Sequence, residues 1–593
     1  MGAGALVYAL ALAGCDSTNN NDSPPNQVVR YGAISAKVRG LDPMDIGDTT
    51  SSGVASNFYE CLFQYHYLKR PYVLEPALAA DMPTYSEDRL TVTIPIRKDV
   101  YFHDDPCFPG GQGRQLVAED FIYAWKRIAY LKNVSKNWWI FEKRIVGLDE
   151  FRETTKGIAK SDMDYRQKIA GLEAIDRFTV QIKLKKNVPD IEFRLTHLPL
   201  APVPREAVEH YGDEFMNHPV GTGPFMLDSW TRGSKLVMVR NPKFREEKYP
   251  NEGEDGDEQA GLLVDAGKTL PLIDRAEYRV ILEDQPYWLT FMNGETDAAG
   301  IPKDAFDSAI NSDRELTPSM LTKGINLIKH PEPTTFWVGF NMQDPVAGTN
   351  LPLRQAMSLA FDRKKFIDLF TNGRGLPARG PLPPTVAAYT PDLSSPYTTF
   401  NLALATKKLA EARALHRKNH GGDLPVLKLI IGGTDATAVQ MGQFNQRCFE
   451  AIGLQVKIDN LDWPSMQDKV KTKSAQMYSM GWIMDWPDPE NMLLLWYGPN
   501  ESPGPNNFNY RNEKFDELYD KITVMPASPQ RTAMFRQMEQ IVVDDLPCIF
   551  TTHRVSYYLK YNWYKNYKPH VYGYGLMKYL NIDKNERWRK VGH

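Results

Sequence analysis

The chain has almost no net charge. Its 70 Lys and Arg face 73 Asp and Glu, a balance of −3 across 593 residues. Without a basic run or patch there is no electrostatic footprint for nucleic acid, which excludes that class of partner. Cysteine is scarce, with Cys15, Cys61, Cys107, Cys448 and Cys548 far apart. None forms a C-x-x-C pair and no H-E-x-x-H run is present, so no zinc site is expected. With Cys15 set aside, the other four leave two alternatives open, one or two disulfides in an oxidising compartment or buried free thiols. Histidine is also sparse, 11 in all, which argues against direct metal binding. There is no G-x-S-x-G elbow, and the "GTG" at 221–223 lacks the Gly-Lys-Ser/Thr of a phosphate loop. No catalytic residue, metal or cofactor is therefore expected; a hydrolase triad gathered from distant residues is the remote alternative.

What is present begins with size and aromatic content. A chain of 593 residues exceeds one ordinary core, so several domains are expected. It carries 12 Trp, 29 Tyr and 26 Phe, enough to furnish either a large core or ligand-contacting walls. The opening "MGAGALVYALALAGC" is apolar but shorter than the roughly 20 residues that span a bilayer, and it has the form of a secretory signal. No Lys or Arg precedes Arg30, so the usual basic leader region is missing. "DSTNNNDSPPNQ" then reads as a polar tether over 16–27.

Periodicity organises the rest. "VVRYGAIS" reads as a short strand, and "NFYECLFQYHY" as an apolar helix packed on a core. Alternation from Leu90 to Ile96, and again in "FTVQIKLKK", predicts half-buried strands. Val117, Phe121, Trp125 and Ile128 share one face of an amphipathic helix. Residues 250–270 look like an acidic surface insertion. "VGTGPF" reads as a turn whose glycines permit positive φ. "LPLRQAMSLAFDRKKFIDLF" and "LATKKLAEARALHRK" are helices. "LPVLKLIIGG", "AVQMGQFNQRCFEAIG" and "LQVKIDNLDW" run strand–helix–strand, which argues for an α/β lobe with a parallel sheet.

The most informative stretch is "YSMGWIMDWPDPEN", 478–491, where Asp485 sits between Trp482 and Trp486. A carboxylate enclosed in an apolar run costs several kcal/mol unless a cation meets it. Either Asp485 has an internal Lys or Arg partner, or it receives a cation from outside. Gly481, Ile483 and Asp485 alternate with period 2, so one edge of that strand can pair with an extended backbone, as in β-augmentation. Asp488, between prolines, reads as a turn-capping carboxylate.

Several blocks, in order, resemble the extracellular solute-binding proteins of peptide ABC transporters, the oligopeptide- and dipeptide-binding family 5. These are "LDPMD" with "NFYECLFQY", "LEPALAADMP", "LTVTIPIRKDVYFHDD…GRQLVAEDFIYAWKRI", "HPVGTGPFMLDSW…LVMVRNPKF", "PLRQAMSLAFDRKKFI", "KKLAEA" and "GWIMDWPDPEN". The resemblance implies an α/β, two-lobe periplasmic-binding-protein-like fold with an extra subdomain and a hinged cleft. Lobe I would take 28–63, 205–330 and the return 556–593, the inserted subdomain 64–204, and lobe II 331–555. It also implies a monomer that captures a peptide and delivers it to membrane permease subunits, without catalysis. The alternative solutes are a murein peptide, a metal chelate, haem or an oligosaccharide; a surface receptor with a degenerate cleft is a further rival.

By the same resemblance, Asp485 receives a ligand α-ammonium, and Trp463 aligns with a pocket-lining Trp. Trp482 and Trp486 flank the acid. Ser479 stands where family members often place an Arg for the ligand carboxylate, and Thr437 where a His stands. Arg554, beside His553, is the candidate replacement for that clamp. Leu12-Ala13-Gly14-Cys15 resembles a bacterial lipobox, which implies lipidation at Cys15 and an exported, membrane-anchored protein facing the periplasm or the cell exterior.

Overall fold

The computed structural model describes residues 28–34, 38–386, 388–393, 395–573 and 575–591. The leader, the tether and the lipidation reading at Cys15 lie outside these residues. Three sheets organise the chain. Val28–Ile34 joins Arg275–Ile281, Lys235–Arg240 and Phe225–Thr231 in a four-stranded sheet. Thr84–Tyr85, Thr91–Pro95, Thr179–Lys183 and Leu172–Asp176 make a second, antiparallel one. Against it packs the helix Ala118–Ala129, with Phe121, Trp125 and Ile128 buried. These two sheets share one continuous core.

The third sheet has eight strands and carries the candidate site. Leu427–Gly432 pairs in parallel with Val456–Leu461 on one side and with Met477–Ile483 on the other. The expected parallel arrangement holds for these three strands. Thr334–Phe340 and Cys548–Tyr561 then extend the sheet in antiparallel fashion, so the whole is mixed. The 14-residue strand Cys548–Tyr561 is long enough to serve two bodies. Its first half pairs with Thr334–Phe340, and its second half with Ile325–Pro331 and Ala298–Gly300. Cys548, Ile549 and Phe550 are buried in the cores of the large sheet, whereas Leu559 and Tyr561 belong to the other core. Two passes of chain, Ile325–Phe340 and Cys548–Tyr561, thus tie the bodies together.

Two local expectations are corrected. "NFYECLFQYHY" is not a helix: after a turn at 57–58 it runs extended into the strand Phe63–Tyr65. Its carbonyls are committed elsewhere: Asn57 O accepts from Phe225 N–H, Phe58 O from Gly223 N–H, and Cys61 O from Leu78 N–H. A helix cannot form when its acceptors already serve distant donors. The glycines of "VGTGPF" are needed for this contact rather than for positive φ. A Cβ at Gly221 would stand 2.0 Å from the Phe58 carbonyl oxygen, and one at Gly223 2.6 Å from that of Asn57. Close backbone approach is the constraint.

Three further features bear on the sequence reading. "LPLRQAMSLAFDRKKFIDLF" forms two helices, Leu351–Ala360 and Arg363–Thr371, because Asp362 caps the second by accepting from Lys365 N–H. The acidic insertion is docked rather than free, with Lys568 paired to Glu254 and Asp257. Cys61, Cys107, Cys448 and Cys548 are free thiols, Cys61 and Cys548 buried. Among the described residues no helix is long and apolar enough to cross a membrane.

The segment following the strand Gly375–Pro377 is fixed against the long helix Pro529–Asp545 by a buried acid. Thr390 Oγ1 donates to Glu539 Oε2 at 2.9 Å. The same segment receives Thr335 Oγ1 on the Pro381 carbonyl, which ties it to the large sheet. Burial pushes the Glu539 carboxyl up from 4.5 to about 8, so the folded state holds a proton there that the unfolded chain releases earlier. That contribution is fully present below pH 4.5 and is lost as pH rises through about 8. Melting temperatures of wild type and Glu539→Gln, taken from about pH 5 to about pH 9, will show wild type losing ground to the variant as pH rises. Parallel curves would contradict a protonated Glu539.

Candidate functional site

Asp485 begins the turn that follows the strand Met477–Ile483. Its position is fixed by one buried amide. Asn491 Oδ1 accepts from the Asp485 backbone N–H at 2.8 Å, and Asn491 Nδ2 donates to Asp485 Oδ2 at 3.2 Å. Trp482 Nε1 also donates to Asn491 Oδ1, at 3.4 Å. Asp488 completes the turn by accepting from Glu490 N–H, and Arg531 holds it bidentately at 2.6 and 3.0 Å. Its carboxylate is therefore spent on the turn.

The charge on Asp485 is not spent. Among the described residues no basic side chain forms an ion pair with it. Burial raises its pKa, while His197, Asn491 and Arg194 pull the other way. His197 is itself held below its ordinary value by burial, so a neutral imidazole faces the acid at neutral pH. Arg194 is committed to Asp190 at 2.9 Å and Glu490 at 2.8 Å. The internal-partner alternative raised by the sequence thus has no cation to supply it.

The strand leading to Asp485 has one free edge. Residues 477–479 pair with Leu429–Ile431, whereas the pairing stops before Met480. On the opposite edge Met484 N–H donates to the Pro333 carbonyl at 2.9 Å. Alternation then turns the main-chain groups of Gly481 and Ile483 toward the unpaired edge. Ile483 is exposed and Trp482 half-buried. Trp463 begins the helix Trp463–Lys471 just beyond the end of Val456–Leu461. It is 38% exposed, and its ring lies 3.3 Å from where a Cβ on Gly432 would stand. That places an open aromatic face at the carboxyl ends of the parallel strands, where ligands of α/β sheets bind.

Trp486 and Arg554 occupy different surroundings. Trp486 is fully buried, stacked on Trp139 at 5.8 Å with the Arg194 guanidinium 4.7 Å from its ring. Arg554 is exposed and lies 3.8 Å over the ring of Phe336. Phe336 in turn covers Gly481, where a Cβ would meet Phe336 Cδ1 at 2.3 Å. One aromatic ring therefore links the glycine of the free edge to the candidate cation. Sequence reading missed Asn491, His197, Arg194 and Trp139. Asn491 sits inside the quoted stretch and carried a local signal; His197 and Arg194 come from some 290 residues away and Trp139 from some 350, and no local pattern marks them.

A sequence profile described as bacterial extracellular solute-binding proteins, family 5 (middle portion), matches residues 73–504. The chain is 22% identical over 552 residues to the oligopeptide-binding protein OppA of Bacillus subtilis, covering 91% of each. It is also 22% identical over 600 residues to heme-binding protein A of Haemophilus influenzae, covering 97% of each. Among solved structures, the periplasmic binding protein DppA of Helicobacter pylori, in complex with the peptide STSA, superposes with a TM-score of 0.75 at 20% identity. It covers 94% of this chain and 99% of its own.

The Gly481–Phe336 contact yields a test. Gly481→Ala will lower stability by about 1–3 kcal/mol through overpacking, read by urea denaturation. Made in a Phe336→Ala background, the same substitution will cost little, since the clash is with that ring. A Gly481→Ala protein as stable as wild type would show that the ring does not set this position.

Proposed function

We infer that this chain, which belongs to the bacterial extracellular solute-binding proteins of family 5, binds a peptide by its free amino terminus. The membership makes it the non-enzymatic solute-binding component of an ABC importer, working outside the cytoplasm. The peptide reading rests on one observation above all, the half-buried Asp485 carboxylate with no ion-pair partner among the described residues. A peptide α-ammonium supplies the missing charge through a strong charge-assisted hydrogen bond. The main chain of the same peptide can extend along the free edge at Gly481 and Ile483, adding a strand to the sheet. Trp463 and Trp482 offer side-chain walls, and Arg554 a cation for an acidic group further along. Trp486 serves from beneath, by packing the turn that holds Asp485.

The mechanism is capture followed by closure about the two connecting passes of chain, and release to the permease. Lobe I is assigned 28–63, 205–330 and 556–593, the inserted subdomain 64–204 and lobe II 331–555. Haem, which the name of one relative carries, is the second reading. Its propionates are anions and would find a carboxylate at Asp485 rather than a cation, which disfavours it here. Cys15 carries a lipid anchor in this reading, and Cys15→Ser will shift the protein from the membrane to the soluble fraction. An unchanged distribution would remove the anchor.

Calorimetry with trialanine and N-acetyl-trialanine tests the ligand reading. Removing one partner of an enclosed charge pair costs roughly 2–5 kcal/mol, so acetylation should weaken binding about 30-fold or more. Asp485→Asn should abolish the difference. Because burial raises the Asp485 pKa, trialanine affinity will fall as pH is lowered through that raised value, and acetylated peptide will not follow. Equal binding of both peptides to wild type would overturn the ammonium anchor.

A further inference from the structure

One seam beside Asp485 has a charge pattern that stability alone does not account for. From the subdomain side come Trp139, Arg144, Asp190 and Arg194; from the large-sheet side come Trp486, Glu490 and Tyr519. Arg194 is 2% exposed and bridges the two, ion-paired with Asp190 at the start of its own short helix and hydrogen-bonded to Glu490 opposite. Glu490 also receives the Tyr519 hydroxyl. The Trp139 and Trp486 rings stack across the same seam. At its rim Lys186 Nζ donates to Thr523 Oγ1 at 3.3 Å, and Asn187 Nδ2 to the Val524 carbonyl at 3.1 Å.

The charges do not balance. Asp190, Glu490 and Asp485 are three carboxylates at this seam: Arg194 pairs with the first two and also acts on the third, while Arg144 lies in the field of Asp190 and Glu490 alone. Lys186 has Asp520 as the strongest opposite charge acting on it, and Arg531 is ion-paired with Asp488. One negative charge remains, at Asp485. Among the described residues the buried Arg194 Nε and Nη1 groups have no hydrogen-bond partner. A half-satisfied buried network is a poor permanent staple, but it suits a contact that must open and close.

We propose that Arg194 is a positioning residue for ligand binding, bridging to Glu490 so that the 64–204 subdomain closes over the Asp485 turn with the seam one positive charge short. The closed form therefore selects ligands that deliver a single cationic group at Asp485. The proposal rests on the reading of Asp485 as the ammonium site.

Full-length wild type, Arg194→Met, Arg194→Lys and Glu490→Gln are compared by calorimetry with trialanine and N-acetyl-trialanine, and by solution X-ray scattering with and without peptide. Arg194→Met should bind trialanine at least about 30-fold more weakly and stay expanded with peptide present; Arg194→Lys should recover part of both. Glu490→Gln balances the seam without a ligand, so its preference for trialanine over the acetylated peptide should shrink about 10-fold. If Arg194→Met does not fold, this near-isosteric variant still decides the matter. Wild-type affinity and compaction in Arg194→Met, or an unchanged preference in Glu490→Gln, would overturn the proposal. Equal binding of both peptides to wild type would overturn the charge requirement together with the ammonium reading. The latch itself is then judged by scattering alone: Arg194→Met more expanded than wild type with peptide bound supports it, and identical profiles reject it.

Discussion

Withdrawing a carboxylate from water with no cation beside it is costly, and the arrangement around Asp485 holds one half-buried in that condition. Asn491 fixes its oxygen and its backbone amide without neutralising it. The neighbouring cation, Arg194, is taken by two other acids. His197 is kept neutral by its own burial. Each of these choices leaves the charge in place and the geometry rigid. A site preorganised in this way gains affinity because little ordering remains to be done when the ligand arrives.

The rest of the large sheet serves that point. The strand Met477–Ile483 is paired along its first residues and open along its last, so the free edge begins where the acid is reached. Gly481 leaves the room that the ring of Phe336, its partner on the neighbouring strand, occupies, and Phe336 carries Arg554. Charge and hydrogen-bonding edge thus lie on one short stretch of chain. A peptide, with an ammonium group followed by a repeating main chain, has the same order of features.

The sequence made Asp485 legible because its oddity is local: a carboxylate between two tryptophans, two residues beyond an alternating pair. It also made the parallel unit Leu427–Leu461 legible through strand–helix–strand periodicity. It could not tell which tryptophan packs inward. Trp486 does, because Trp139 and Arg194 come from far away in the chain to cover it. The non-helical path of 57–63 was hidden for the same reason. Its apolar run fits a helix until the glycines at 221 and 223 claim its carbonyls. Local patterns report what a residue needs; they do not report which distant segment meets the need.

The central claim is that the Asp485 charge is completed by a ligand amine. The most direct measurement is a crystal structure of the protein saturated with trialanine. The account predicts the peptide nitrogen within about 3 Å of the Asp485 carboxylate, with the peptide main chain alongside Gly481 and Ile483. A bound peptide whose carboxyl end lies nearest Asp485, or one lying away from this strand, would contradict it.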